Sequence, residues 1–397
     1  MYLILEDIKK NNHVFCERMI NMKHRRKIAA LLFLIIFLIL QSGCSDAKTV
    51  APTPDTASKE VPAEEVTPDI DKDPPFFIEY VYTRELITTY YHLYGTVLDD
   101  FAEIYLTNNS NEISTFLVET EIDGYSTVSS DTVEVAPGEC KEIRQNPRLI
   151  PESMDKLNAQ RYANFVIRVT LLLSDGEDDL LLNESKEILL YSRRDYTWVD
   201  GFDLQENHDF LAAYVTPNDP VVEGLLRRAA DYTSTGQMWS GYSGYTNDED
   251  GAVWDRLQAI WQAEKDYNLT YVSTWVSFTP EKSQRMRLPY EVMEQSGGNC
   301  IELVFLFASA VEAIDVECSI VLIPGHAYLA VRTDQETSNY YFIETTLIGQ
   351  ADFNAAVNYG FKSWSNDGPK VESNEAGYGW VNIYEARERG ILPVPWR

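Results

Sequence analysis

Three side chains in the last third of the chain are of the kinds that together open or form amide bonds: Cys300, His326 and Glu344. A deprotonated thiol attacks a carbonyl carbon, an imidazole takes the thiol proton and later returns it to the leaving amine, and a carboxylate holds the imidazole in orientation. The spacing of all three fits elements that would bring them together. Cys300 follows Ser296-Gly297-Gly298-Asn299 and precedes an apolar run from Ile301 to Ile314, broken only by Glu302, Ser309 and Glu312. That length reads as a buried helix. Asn299 is a good N-cap, so Cys300 falls in the first turn, where the positive helix end favours a thiolate. Gly297 and Gly298 are expected to let backbone and substrate approach this point closely. The alternative reading of Cys300 is a small buried residue without chemistry.

The partners come from the elements that follow. Cys318 to Ile323 reads as a strand, Pro324-Gly325 breaks it, His326 to Val331 reads as a second strand, and Tyr340 to Glu344 as a third. With a hairpin turning around residues 335–336, His326 lies opposite or diagonal to Glu344. Residue numbers with an even sum then share one sheet face. The expectation is that the Cys300 helix packs on that same face. Once the leader is removed, His92, His208 and His326 are the remaining histidines, and only His326 sits in such a frame. His92 is expected to pack or cap.

At these residues the chain resembles a transglutaminase-like domain of the papain-like cysteine hydrolase superfamily. Gly298-Asn299-Cys300, Gly325-His326 and Glu344 match, in chain order, the family's Gly-x-Cys helix start, Gly-His strand start and following acidic residue. Gln284-Arg285-Met286-Arg287-Leu288-Pro289 and Pro324-Gly325-His326-Ala327 resemble bacterial members, and the similarity spans residues 215–397. The acid is usually Asp in that family, and Glu344 is longer by one methylene. The resemblance implies a thioester on Cys300 with His326 as base and then acid. It also implies an oxyanion site made by the Cys300 backbone N–H and an upstream side chain, for which Gln284 and Trp275 are the candidates. Glu302 is read as favouring the positive helix end, and Arg285 and Arg287 as salt-bridge partners.

Two functional classes follow. One is a cysteine-dependent acyl-transfer enzyme acting on amide bonds of proteins or peptides, as peptidase, amidase or transglutaminase; the other is a catalytically silent extracytoplasmic binding or scaffold protein with the same fold. No cofactor is called for, and no Cys/His cluster has zinc spacing. Thr246 to Gly251 reads as a solvated acidic loop rather than a calcium loop.

The rest of the chain supplies an address and a spacer. Lys23, Arg25, Arg26 and Lys27 precede thirteen uncharged apolar residues, Ile28 to Leu40, short of the roughly twenty needed to cross a bilayer. Leu40-Gln41-Ser42-Gly43-Cys44 resembles a bacterial lipoprotein signal, which implies Cys44 as the lipid attachment point and an extracytoplasmic location on the membrane. Residues 1–43 are read as the leader, with translation beginning at Met22, and residues 44–75, rich in Pro, Thr, Ala, Asp and Glu, as an extended tether. Residues 76–198 alternate as short strands and are expected to form an immunoglobulin-like β-sandwich; the resemblance implies that residues 199–397 form the transglutaminase-like domain, giving an α+β chain. A pair of helices is expected before the site, one capped by Asp219-Pro220 and carrying Val221, Leu225 and Ala229 on its buried face, one over Ala252 to Asp266. A net charge of −29 becomes −33 once residues 1–43, with seven Lys or Arg and three Asp or Glu, are removed. That excludes a protein that grips the nucleic-acid backbone. Substrate and oligomeric state are not encoded legibly.

Overall fold

The computed structural model describes residues 74–174, 176–198, 208–242, 249–273 and 283–395. The leader, Cys44, most of the tether, Trp275 and Thr246 lie outside the described residues. Among the described residues no helix is long and apolar enough to cross a membrane. The fold is mixed α+β.

The first module has two sheets. Strands β1 (Phe76–Tyr82), β3 (Ala102–Asn108) and β6 (Cys140–Gln145) form one, while β2 (Glu85–Leu86), β4 (Ser114–Ile122), β5 (Ser129–Val135), β7 (Arg161–Leu172) and β8 (Asp179–Leu190) form the other, in the order β2-β8-β7-β4-β5. A short helix, α1 (Pro151–Asp155), lies between β6 and β7. Alternation on β4 works as its sequence predicts: Phe116, Val118, Thr120 and Ile122 are all buried. Phe116, Val118 and Ile122 meet Ile104, Leu106 and Ile143 of the other sheet, together with Phe165 and Ile167, in one core.

The remaining residues build a larger core. Helix α2 (Pro220–Ala229) is capped by the Asp219 side chain, which accepts from the Val221 N–H, with Pro220 in the first turn. Its buried stripe runs through Val222, Leu225 and Ala229, so Val222 takes the inward place expected of Val221. Helix α3 (Glu249–Asp266) buries Val253, Leu257, Ile260 and Trp261 as expected. It absorbs the end of the acidic 246–251 stretch into its first turn.

After α4 (Pro289–Gln295) comes α5 (Cys300–Ala313), buried along nearly its whole length. Four antiparallel strands follow in the order β15-β14-β13-β16: β13 (Cys318–Ile323), β14 (His326–Arg332), β15 (Tyr340–Ile343) and β16 (Gly379–Asn382). Cys318, Ile320, Leu322, Ala327, Leu329, Val331, Ile343 and Val381 join the core that contains α5, whereas Val321, Tyr328, Ala330 and Phe342 form a separate cluster on the opposite face. Helix α5 therefore packs on the face of Leu329 and Val331. This corrects the expected arrangement, because His326 shares the parity of Tyr328 and Ala330.

Helix α6 (Phe353–Glu372) wraps the β15 edge, giving Phe353, Ala356 and Val357 to the larger core and Trp364 and Val371 to the cluster behind the sheet. Gly360 makes that wrap possible. A Cβ there would stand 2.1 Å from the Phe342 carbonyl oxygen. The last helix, α7 (Ile383–Glu388), is tied down by Arg387, whose guanidinium bonds Glu312 and the carbonyls of Ala212, Val215 and Ile391.

The modules are stitched together. Tyr90 and Leu93, from the segment after β2, belong to the larger core. Strand β9 (Asp195–Tyr196) pairs with β11 (Gln284–Arg285), and β10 (Thr270–Tyr271) pairs in parallel with β12 (Gly297–Gly298); His92 Nε2 lies 3.1 Å from the Leu392 carbonyl, the packing role expected of it. A Gly360→Ala variant is expected to lose about 3 kcal/mol in a denaturant titration, because backbone has to move. Gly224, in α2 with open space around its Cα, is the opposite case: Gly224→Ala should gain about 0.5–1 kcal/mol.

Candidate active site

The start of α5 is fixed by reciprocal bonds. Asn299 Oδ1 accepts from the Glu302 N–H at 3.1 Å, and Glu302 Oε2 accepts from the Asn299 N–H at 2.9 Å. This is the capping box that the expected N-cap permits. Cys300 is the first helical residue and is 4% exposed; its backbone N–H has no partner within the helix by position. Glu302 does more than favour the helix end. It also accepts from the Arg287 N–H and the Arg287 guanidinium, both at 3.0 Å, so Arg287 is the salt-bridge partner it was read to be and the stretch after β11 is pinned beside Cys300. The glycines serve this packing: a Cβ on Gly298 would stand 3.1 Å from Glu302 Cβ, and one on Gly297 would stand 2.8 Å from the Thr270 carbonyl oxygen.

The turn before β14 sets the second residue. Ile323 pairs with His326 across Pro324-Gly325, and Gly325 takes φ +78°, the left-handed value that the second central position of such a turn requires. Strand β15 then pairs in a register in which Ala330 faces Phe342 and Arg332 faces Tyr340, which continues to Tyr328 opposite Glu344. His326 is thus diagonal to Glu344 on one face. Strand β15 ends at Ile343, one residue earlier than expected, and Glu344 caps the turn that follows.

The imidazole is held by the carboxylate. His326 Nε2 stands 2.7 Å from Glu344 Oε2, and the Cys300 side chain lies near enough to raise the imidazole pKa. Because Nε2 is engaged by Glu344, Nδ1 is the nitrogen left for sulfur. Glu344 is held in turn, since its Oε1 accepts from the Thr346 N–H and hydroxyl. Although α5 lies on the other face, its first residue reaches His326 at the end of the sheet. Burial works against charge on His326, but the bonds and charges of Cys300 and Glu344 outweigh it and push the imidazole from 6.5 up to about 10. For Glu344 burial raises the pKa, and the bond and charge of His326 with the Thr346 bonds bring it below its ordinary value. Cys318 is different: burial pushes its thiol up, and its sulfur points at the Ala308 carbonyl in the core.

Gln284, one of the two oxyanion candidates, is 3% exposed. Its Oε1 accepts from the Trp198 indole N–H at 2.9 Å, and its Nε2 is buried without a partner. Trp198 therefore orients the amide and leaves both Nε2 hydrogens to donate. Sequence reading missed Trp198, which lies 86 positions from Gln284 with no local signal linking them. His208 also lies closer to this region than its sequence suggests, its ring 6.0 Å from that of Trp198 and its Nδ1 2.8 Å from where a Gly379 Cβ would be. Trp275, the other candidate, lies outside the described residues, and Arg285 is exposed on β11.

The sequence matches no protein-family model and no curated protein. Among solved structures, a FixG-related protein from Vibrio parahaemolyticus is similar at 14% identity and TM-score 0.20, covering 30% of this chain and 99% of that one. A candidate cysteine protease from Cytophaga hutchinsonii is similar at 10% identity and TM-score 0.21, covering 62% of this chain and 74% of that one. Scores of this size carry no argument.

Two outcomes follow from the geometry of the site. A raised histidine stabilises the fold fully below its ordinary 6.5 and loses that contribution as pH rises toward about 10. The stability gap between wild type and Glu344→Gln should therefore narrow across this window in denaturant titrations, with the His326 ring titrating lower in the variant by NMR. Gln284→Ala should slow acylation of Cys300 by p-nitrophenyl acetate about 100-fold while leaving alkylation by iodoacetamide, which forms no oxyanion, within about twofold. Equal slowing of both reactions would show a general disturbance of the site.

Proposed function

We propose that this chain is a cysteine-dependent acyl-transfer enzyme acting on amide bonds of proteins or peptides, with Cys300 as nucleophile, His326 as base and acid, and Glu344 as the group that orients the imidazole. The observation that carries this reading is the pairing of His326 with the Glu344 carboxylate, with the Cys300 side chain near enough to shift the imidazole upward. In the first half of the reaction sulfur bonds to the carbonyl carbon, the thiol proton resides on His326, and collapse of the oxyanion breaks the C–N bond as that proton moves to the leaving amine. The product is a thioester on Cys300. In the second half water or a primary amine attacks the thioester, His326 takes the attacking proton, and the thiol is regenerated.

The donors proposed for the oxyanion are the Cys300 N–H and Gln284 Nε2, the latter supported by its buried, unpartnered state and its fixed orientation. The fold assignment that goes with this reading is a transglutaminase-like, papain-type domain behind an immunoglobulin-like module. With a lipid anchor on Cys44 followed by the Pro- and acid-rich tether, the enzyme works outside the cytoplasm at a membrane, where amides of proteins or peptides are the substrates.

Iodoacetamide at pH 7 should label Cys300 at least about tenfold faster than Cys318, and His326→Ala should abolish the difference. Peptide mapping of the labelled thiols by mass spectrometry measures both rates. Equal slow labelling in the wild type would favour a protein that keeps the fold as a scaffold without turnover. Incubation with a fluorescent primary amine and a glutamine-bearing protein then separates amine transfer from hydrolysis.

A further inference from the structure

On the face of the β13–β16 sheet turned away from α5 lies a cavity of about 880 Å³. Its floor is aromatic, with Tyr340, Phe342, Trp364 and Trp380 among its lining, and its rim carries Asp250, Asp334 and Glu372. Among the described residues no Lys, Arg or His lines it. Two nearby cations are committed elsewhere: Arg332 pairs with Glu317 at 3.0 Å and bonds the Thr337 and Gln335 carbonyls, and Lys370 Nζ bonds the Tyr378 hydroxyl at 2.9 Å. Asp334 is firmly anionic, because the Thr337 hydroxyl and backbone N–H hold it down to about 2. Three carboxylates without a lining cation make a negative concavity in a low-dielectric aromatic wall, which concentrates cations.

The shape of the aromatic floor decides between cation and sugar. Trp364 has one face covered by Phe342, stacked at 4.6 Å and 12°. Tyr340 and Trp380 meet at 5.2 Å and 82°. The floor is therefore a corner rather than the open plate that a pyranose ring stacks on. A corner with carboxylates at its rim suits the end of a charged alkyl chain, held by cation–π and ionic contacts together. Phe361 lies at the mouth, 42% exposed, where it would cover the methylenes of such a chain.

We propose that this cavity binds the lysine or arginine side chains of a basic peptide segment. The site is separate from Cys300 and does not depend on what that residue does.

The test uses the full chain and N-acetylated tetralysine amide at about 50 mM salt, where exposed charge is weakly screened, with binding read by calorimetry and tryptophan fluorescence. Saturable binding is expected. The double variant Asp250→Asn/Glu372→Gln, which removes rim charge without touching the turn that Asp334 caps, should weaken it at least about tenfold. A control that removes the same charge from the other module, Glu112→Gln/Glu152→Gln, should change it less than twofold. Equal weakening by both pairs would reduce the effect to the overall charge of the protein and overturn the site. So would the absence of saturation, or binding of triacetylchitotriose in place of the peptide.

Discussion

One buried carboxylate holds the candidate active site together. Glu302, 2% exposed, receives the backbone N–H of Asn299, the backbone N–H of Arg287 and the Arg287 guanidinium. Two segments that approach Cys300 from different directions thus converge on one side chain. A charge so buried is tolerable only when paired and hydrogen-bonded, and removing one partner from such a pair costs about 3–5 kcal/mol. The helix start, the strand that carries Gln284 and the position of Cys300 are consequently a single cooperative unit. Gly298 belongs to it too, since any side chain there would press on Glu302.

The second constraint is the meeting of two sheet faces at one sheet end. Helix α5 needs an apolar surface for an almost wholly buried run, and the face of Ala327, Leu329 and Val331 supplies it. His326 and Glu344 belong to the other parity. They meet Cys300 only because His326 is the first residue after a two-residue turn and Cys300 is the first residue of its helix. Helix α6 braces the same corner: its Ala356 carbonyl accepts from the Glu344 N–H at 3.2 Å, and Gly360 lets the helix lie against the strand backbone. The opposite face, freed of α5, carries the aromatic and acidic cavity.

The first module contributes to the site through the chain that leaves it. Strand β9 pairs with β11, which carries Gln284, and Trp198 two residues later sets the Gln284 amide. Thr89, Tyr214 and the Asp195 carbonyl are linked by hydrogen bonds at the same junction. The junction is built from buried polar groups that satisfy one another, and such networks rigidify what they connect.

Much of this was legible in the sequence, for local reasons. Asn299 as N-cap, the buried helix behind it, Pro324-Gly325 as the turn, the three strands and the pairing of His326 with Glu344 all follow from capping, periodicity and the two-residue repeat of strands, each a property of neighbours along the chain. The stripes of α3 and β4 follow likewise. What the sequence could not carry was everything decided by surfaces far apart along the chain. Which face α5 would cover depended on where the apolar residues of four strands accumulate, and it went opposite to expectation. The role of Trp198, the fourfold use of space around Gly297, Gly298, Gly360 and Gly379, and the convergence of Asp250, Asp334 and Glu372 on one cavity exist only once distant segments are brought together. Residue types and short-range spacing determined the chemistry this chain offers; tertiary packing alone decided which groups face it and which are spent holding it in place.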